Sequence, residues 1–451
     1  MRRTSYRAAV LIVAALTFSL GSAPSQATQP CRADAAYRGP ERRTAPASVW
    51  RDTRGNAITG ELPADIRERL DATVDRLLTR VPGVSVAVAI PGVGRWDTQR
   101  GRAQTTPPRD IRGDETFHAA STTKTFTAAV IHQLVAEGKL SLDDPVARWM
   151  ADVPNAAQTS IDDLLRHTSG LVSFNALPWF DGATHVAPAA ALALGLSRPP
   201  QFCPGTNWAY TNTGYTLLGL IIERIEGRPL AEVFTDRLFT PLGMTRSTLR
   251  QPGVPWPVVS GHATGVPTTG DAHYTTAWAA GGLATTARDL VTFWHAFLGG
   301  SVMKDSAVRE MFTDMSPMSP DRRMFYGRGV QLYDIPDGPG LMLGHSGGIV
   351  GFTSVVAYLP TDNVYVAAIV NDKDVPAEAV LWALVQAART AGIRRAGSEC
   401  CEPRSTLWSE AMRASLQHER TERRIHAAAP RSAFGTSRQR PASEPSQPTL
   451  P

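Results

Sequence analysis

The sequence predicts an α+β fold in which the two ends of one domain build an antiparallel sheet and a large, mostly helical region is inserted between them. Short β-branched runs occur near both ends of this domain, at 84–90 and at 351–359 and 364–370. They are bounded by Pro, Gly and Asn residues typical of turns. The intervening chain carries apolar residues at helical spacing. Because 43% of all residues are hydrophobic and 19% are charged, the chain has ample material for a core.

Each element has its own signal. Ile66, Leu70 and Val74 repeat at helical spacing and predict a helix that Pro82-Gly83 ends. The β-branched run at 84–90 is followed by a Pro-Gly turn and a stretch expected to pair with it. The predicted helices are 62–80, 119–137, 215–225 and 376–388, and the predicted strands are 84–90, 95–100, 351–359 and 364–370.

The termini differ in composition from the body of the chain. Arg2, Arg3 and Arg7 precede an apolar run at 8–20, and small residues end at Ala27, as in a cleaved secretory signal. We therefore expect a secreted or extracytoplasmic protein of the cell envelope, without a stable membrane span after cleavage. The predicted organisation is a signal peptide at 1–27, a lead-in segment at 28–58, the domain at 59–395 and an Arg/Pro/Ser-rich, largely disordered tail at 396–451.

Charge and cysteine content restrict the partners. The net charge of +5 comes from arginines at the two termini, so the nearly neutral body does not predict nucleic-acid binding. The cysteines are Cys31, Cys203, Cys400 and Cys401, and they allow three complete pairings. A bond from Cys31 to Cys400 or Cys401, joining the two ends of the domain, is one expectation. The ten histidines show no metal-ligand spacing, so we expect no metal. We also expect a monomer without a cofactor.

Two serines compete for the role of nucleophile. Ser346 lies in Gly-His-Ser-Gly-Gly at 344–348, which matches the G-x-S-x-G elbow of α/β-hydrolases. That elbow requires a helix directly after the serine, whereas the residues at 349–356 are strand-like. The histidines that follow, His418 and His426, lie in the tail. This context disfavours Ser346.

Ser121 begins the sequence Ser-Thr-Thr-Lys at the start of the predicted helix 119–137. Residues three apart on a helix are neighbours, so the Lys124 amine can reach the Ser121 hydroxyl. A serine needs such a base to become nucleophilic. At a helix start the Ser121 N–H also has no helical acceptor and is available to an oxyanion. The alternative is a surface helix start with a solvated lysine.

Two further stretches supply complementary groups. Tyr210 and Asn212 precede the predicted helix 215–225, where a phenol can relay a proton and an amide can hold a substrate carbonyl. A core tyrosine beside a helix cap is the structural alternative. The stretch His345 to Gly348 is expected at the start of the C-terminal strand pair, with the Gly348 N–H as a second oxyanion donor. A structural glycine-rich strand entry is the alternative there.

Together these motifs resemble the serine β-lactamase/penicillin-recognising superfamily, in particular its class C β-lactamase-like branch. The stretches at 162–171 and 280–290 add to this resemblance, which covers about residues 60–395. It implies that Ser121 is acylated, that Lys124 and Tyr210 handle the proton, and that Asn212 contacts the substrate amide. It further implies that His345, with Ser346, Gly347 and Gly348 on the same strand, helps to bind a substrate carboxylate.

The resemblance implies a serine-type D-alanyl-D-alanine carboxypeptidase acting on a peptidoglycan D-alanyl peptide. The open alternatives are an esterase, a class C-like β-lactamase, and a penicillin-recognising protein that binds without turnover. The substrate is accordingly a peptide, a β-lactam or an ester. Loops near 174–188 and 256–278 are expected to shape the cleft. His167 is expected to end a helix and to form structural hydrogen bonds rather than to act in catalysis.

Overall fold

The computed structural model describes residues 31, 36–177, 184–268 and 271–390. The predicted signal peptide and tail, with Cys400 and Cys401, lie outside the described residues. Among the helices in these ranges, none has both the length and the apolar character needed to cross a membrane.

The described strands form one large antiparallel sheet that joins the two ends of the domain, as the sequence predicts. Its nine strands run in the order β3-β2-β1-β14-β13-β12-β11-β10-β9. The strands of this sheet are β1 Gly83–Ile90, β2 Gly94–Gln104, β3 Arg109–Asp110, β9 Ser316–Pro317, β10 Met324–Tyr326, β11 Gln331–Ile335, β12 Gly340–Ile349, β13 Phe352–Leu359 and β14 Val364–Val370. The predicted pairing of 95–100 with 84–90 is confirmed by the β1–β2 register.

Helices cover both faces of this sheet. They are α1 Ala64–Leu77, α2 Thr123–Ala136, α3 Ile161–Arg166, α4 Pro188–Leu196, α5 Asn212–Glu226, α6 Leu230–Phe234, α7 Asp271–Gly281, α8 Ala287–Leu298, α9 Asp305–Met311 and α10 Ala377–Thr390. Successive side chains of β14 point to opposite faces of the sheet, and the core accordingly has two parts, one on each face. Val366 and Ala368 pack with α1 and α10, whereas Tyr365 and Ala367 face α8 and the inserted helices. Each fully buried Val contributes on the order of 2 kcal/mol.

A small sheet connects the inserted region to the large one. Its strands β4 Phe117–His118, β5 Thr248–Leu249 and β8 Leu283–Thr285 pair in the order β4-β8-β5. A separate hairpin consists of β6 Gly261–Ala263 and β7 Val266–Thr268. Since β4 ends just before Ser121 and β8 follows α7, this sheet brings the candidate nucleophile close to α7.

The lead-in segment packs against the domain, and a disulfide fastens it. Cys31 is bonded to Cys203, so the expected bond from Cys31 to Cys400 or Cys401 is wrong. The partner is Cys203 because the segment runs beside the chain that leads to α5. The Arg38 N–H donates to the Thr206 carbonyl at 2.7 Å in the same region. The disulfide thus lies a few residues before Tyr210.

Candidate active site

The candidate nucleophile lies on a tight turn between β4 and α2. Ser121 occupies a 3-10 turn, Ala120–Thr122, and α2 begins at Thr123. The preceding residue, Ala120, has φ +48°, a backbone conformation that residues other than glycine rarely adopt. The Ala119 carbonyl holds this turn by accepting hydrogen bonds from Ser354 Oγ at 2.6 Å and Thr122 Oγ1 at 2.7 Å. The sheet therefore presents Ser121 in a fixed orientation.

Lys124 lies directly beneath Ser121 and is fully buried. Its Nζ lies 3.2 Å from Ser121 Oγ and donates to Asn212 Oδ1 and to the Ala280 carbonyl, both at 2.7 Å. The last two groups only accept, so they hold two of the lysine protons in place. The third direction points at the serine. When the amine is deprotonated, its lone pair can take this third direction and accept the proton of the Ser121 hydroxyl, as a general base requires.

Tyr210 completes the contact around the serine. Its hydroxyl lies 2.9 Å from Ser121 Oγ, and Lys124 Nζ lies 4.8 Å from the centre of its ring. The structure thus brings the side chains of Ser121, Lys124 and Tyr210 together from two distant parts of the chain. A proton leaving the serine has two adjacent groups that accept it in their deprotonated forms, the Lys124 amine and the Tyr210 phenolate.

His167 positions the segment that carries Tyr210. It ends α3 in a left-handed conformation with φ +62°, and its Nδ1 accepts the Thr211 N–H at 3.2 Å. Its carbonyl accepts the Ala209 N–H at 3.0 Å, and its ring centre lies 4.3 Å from that of Tyr210. Burial, together with the charge of Lys124, holds the pKa of His167 well below its usual value, so it is neutral. These contacts agree with the expected structural role at a helix end.

Asn212 is the first residue of α5 rather than part of the preceding loop. Its Oδ1 accepts from Lys124, and its Nδ2 donates to Asn175 Oδ1 at 2.9 Å. Its N–H donates to Ser173 Oγ at 2.8 Å. Asn212 lines the cleft, and its Oδ1 is hydrogen-bonded to Lys124. In this structure its side chain holds the lysine in position.

The chain from His345 to Gly348 lies within β12, not at the start of the strand pair that follows it. A Cβ built on Gly347 would lie 2.6 Å from the Ser121 nitrogen and 2.7 Å from the Ala119 carbonyl oxygen. The backbones of β12 and the nucleophile turn therefore touch here, and only glycine fits. This approach places β12 beside the scissile position.

Two backbone donors face the cleft. The Ser121 N–H, second in its 3-10 turn, has no acceptor within that turn. On β12, the Ser346 N–H donates to Gln331 Oε1 at 2.8 Å, on the side away from β13. Because N–H directions alternate along a strand, the Gly348 N–H points to that same edge, beyond the last β11 pairing at Gly344. The two donors are therefore the candidate oxyanion site.

The structure does not support a carboxylate-binding role for His345. The side chain is fully buried, with Nδ1 at 2.6 Å from the Ser346 carbonyl and Nε2 at 3.2 Å from the Tyr326 hydroxyl. Because a carbonyl only accepts, Nδ1 carries the proton and Nε2 accepts from Tyr326. Burial, reinforced by the charge of Lys124, lowers the pKa of His345 to about 3. The ring is therefore a neutral structural group beneath the cleft.

Ser346 is also engaged elsewhere. Its Oγ donates to Gln331 Oε1 at 3.2 Å, and it lies on a strand rather than on a strand-to-helix turn. The α/β-hydrolase hypothesis therefore has no elbow at this position.

A cavity of about 80 Å³ opens at the candidate nucleophile. It is lined by Ser121, Asn212 and Gly348, by Phe174 and Asn175 from one expected cleft loop, and by His273 and Thr276 from the other region. A larger cavity of about 620 Å³ lies between α1 and α10 on the opposite face of the sheet. None of the groups described above lines it, so the smaller cavity is the candidate active site.

Comparison with known proteins agrees with this geometry. The sequence model of the family described as Beta-lactamase matches residues 70–390. The chain belongs to the β-lactamase family. Penicillin-binding protein 4 of Amycolatopsis lactamdurans is 30% identical over 337 residues, which cover 68% of this chain and 84% of that protein. The family members to which the chain is similar include penicillin-binding proteins, an esterase and an amidase.

Two other relatives show the range of activities. Esterase EstB of Burkholderia gladioli is 33% identical over 204 residues, or 40% of this chain, and the chain spans about half of that protein's length (51%). The structure of D-amino acid amidase from Ochrobactrum anthropi SV3, complexed with L-phenylalanine amide, matches with a TM-score of 0.63 at 28% identity. That match covers 72% of this chain and 98% of the amidase.

Several site groups escaped sequence reasoning. The Ala280 carbonyl accepts from Lys124 because it lies in the last turn of α7, where helix carbonyls have no intrahelical donor. The stretch at 280–290 contributes to the family resemblance, but a backbone oxygen leaves no signal in the residue types. Gln331 and Tyr326 come from strands whose pairing with β12 no local pattern reveals.

Proposed function

We propose that the protein is an exported serine hydrolase that cleaves an amide or ester through an acyl-enzyme on Ser121. The observation that carries this proposal is the double contact of Ser121 Oγ, with Lys124 Nζ at 3.2 Å and with the Tyr210 hydroxyl at 2.9 Å. A serine that only binds a ligand has no use for two proton acceptors held against its hydroxyl.

The groups of the candidate active site suffice for both acylation of Ser121 and hydrolysis of the acyl-enzyme. Ser121 Oγ attacks the substrate carbonyl carbon while its proton passes to the Lys124–Tyr210 pair. The Ser121 and Gly348 N–H groups stabilise the oxygen that becomes negative. When the tetrahedral intermediate collapses, the bond to the leaving amine or alcohol breaks and the pair returns the proton to it. Water then attacks the acyl-enzyme, gives its proton to the same pair, and releases the acid as Ser121 regains its hydroxyl hydrogen.

Export is supported by two features of the chain. The N-terminal sequence has the charged, apolar and small-residue regions of a secretory signal. The Cys31–Cys203 disulfide suits an oxidising compartment outside the cytoplasm. We therefore place the enzyme in the cell envelope or in the medium.

A D-alanyl-D-alanine carboxypeptidase is the second candidate, expected from the sequence. It is favoured by the similarity to penicillin-binding protein 4 of Amycolatopsis lactamdurans, which extends over 84% of that protein. The neutral, buried His345 argues against it, because such a substrate carries a carboxylate next to the scissile bond.

The test is a comparison of three substrates with the wild type and with Ser121→Ala. A short-chain ester, a D-alanyl-D-alanine peptide and a chromogenic cephalosporin are supplied at equal concentration. We expect the ester to be hydrolysed and the Ser121→Ala variant to lose this activity. Ester turnover that survives the substitution would refute the assignment, and preferred turnover of the peptide would establish the carboxypeptidase.

A further inference from the structure

In the described part of the chain, no charged side chain lines the cleft around Ser121, and Lys124 lies beneath it. Within the described residues, the side chains that line the cavity include no Asp, Glu, Lys or Arg, and His273 is the titratable group other than the serine. The sequences at 178–183 and 269–270, which lie outside the described residues, contain no Lys or Arg.

The positive charge of Lys124 is not directed at the leaving group. Its Nζ is fully buried below the serine and bonded to Asn212 Oδ1 and the Ala280 carbonyl. The protons of Nζ are thus directed at these two acceptors and at Ser121 Oγ, and Lys124 is not among the residues that line the cavity.

The polar side chains of β12, the strand that borders the cleft, are hydrogen-bonded to other groups of the protein. The ring of His345 points into the core and is neutral, with both nitrogens bonded to the Ser346 carbonyl and to Tyr326. The Ser346 hydroxyl and N–H both donate to Gln331 Oε1. The side of β12 next to the scissile bond thus offers the Gly348 N–H and the apolar side chain of Ile349.

We propose that the enzyme selects acyl donors whose leaving group is uncharged, that is, neutral esters and amides, and discriminates against a leaving group that carries a carboxylate. This proposal rests on the proposed function, since it specifies the substrate of the same serine. The cause is desolvation: a carboxylate that enters the cleft loses water and gains no cation. A neutral leaving group of the same shape loses much less.

The experiment uses two esters of one acid, one with 3-hydroxybenzoate and one with 3-hydroxybenzamide as leaving group. The two differ chiefly in charge. At pH 8, where histidine protonation supplies little charge, we expect kcat/KM to be at least about tenfold higher for the benzamide ester. Equal values, or a preference for the benzoate ester, would overturn this proposal while leaving the proposed function intact. A lack of Ser121-dependent hydrolysis of both esters would overturn both.

A gain-of-charge variant tests the cause. Ile349 lines the cavity next to Gly348, so Ile349→Lys brings a cation into the cavity, and Ile349→Met has similar bulk without charge. We expect Ile349→Lys to raise the benzoate-to-benzamide ratio of kcat/KM about tenfold, and to do so less at high salt. We expect Ile349→Met to keep the wild-type ratio. An equal change in both variants would show that shape, not charge, sets the selectivity.

Discussion

Replacing Gly347 by alanine tests how closely β12 must approach the nucleophile turn. The added Cβ would lie 2.6 Å from the Ser121 nitrogen and 2.7 Å from the Ala119 oxygen, both backbone atoms with little freedom to move. Ordinary contact begins at 3.4 Å, so the two backbones must separate by about 0.8 Å. A donor at about 2.9 Å from the oxyanion would then lie near 3.7 Å, beyond hydrogen-bond range. Losing one such donor lowers kcat by about 10²- to 10³-fold.

The assay is kcat for a p-nitrophenyl ester, together with thermal melting of the same preparation. We expect Gly347→Ala to remain folded, at a cost of about 1–3 kcal/mol from overpacking, and to lose about 100-fold in kcat. The matched control is Gly113→Ala, because a Cβ at Gly113 meets no atom within 4 Å and lies outside the site. A folded Gly347→Ala enzyme that keeps kcat within about threefold of the wild type would refute the reasoning.

Three further changes have defined outcomes. Tyr210→Phe removes the hydroxyl at 2.9 Å from Ser121 Oγ, so kcat for the ester should fall about 10²-fold or more with KM little changed; an unchanged kcat would exclude Tyr210 as a proton relay. Cys31→Ser removes the disulfide and should lower the free energy of unfolding by about 2–4 kcal/mol in urea titrations, and a reductant should then have no further effect. His132 is buried on α2 with its pKa lowered to about 3, so the folded protein binds fewer protons than the unfolded chain and stability falls as pH drops below about 6.5. His132→Gln should remove about 2 kcal/mol of the stability lost between pH 7 and pH 5, and an unchanged pH dependence of melting would contradict this.

The parts of the fold that the sequence predicts are those with strong local periodicity. The strands at 84–90 and 364–370 are β-branched and bounded by turn residues, so both their existence and their joint sheet were predictable. The short strands β4, β5 and β8 have two or three residues each. Such segments carry no readable period, and their pairing depends on tertiary contacts.

The candidate site was predicted where chemistry demands particular side chains. Ser121, Lys124 and Tyr210 meet as their residue types and spacing predict. For His345 the motif identified the strand but not the direction of the ring, because a strand's inward face is set by its register with neighbouring strands. Its burial against Tyr326 makes the expected carboxylate-binding group a neutral core group. The Cys31–Cys203 bond was likewise unpredictable, since pairing follows from three-dimensional proximity.

The central claim, an acyl-enzyme on Ser121, is tested most directly by mapping the covalent adduct. The protein is mixed with an activated ester, quenched in acid within milliseconds to seconds, digested and analysed by mass spectrometry. The account predicts one acyl group on the peptide that contains Ser121, absent from Ser121→Ala and retained in Ser346→Ala. An adduct on Ser346 or on any other residue, or labelling that persists in Ser121→Ala, would contradict it.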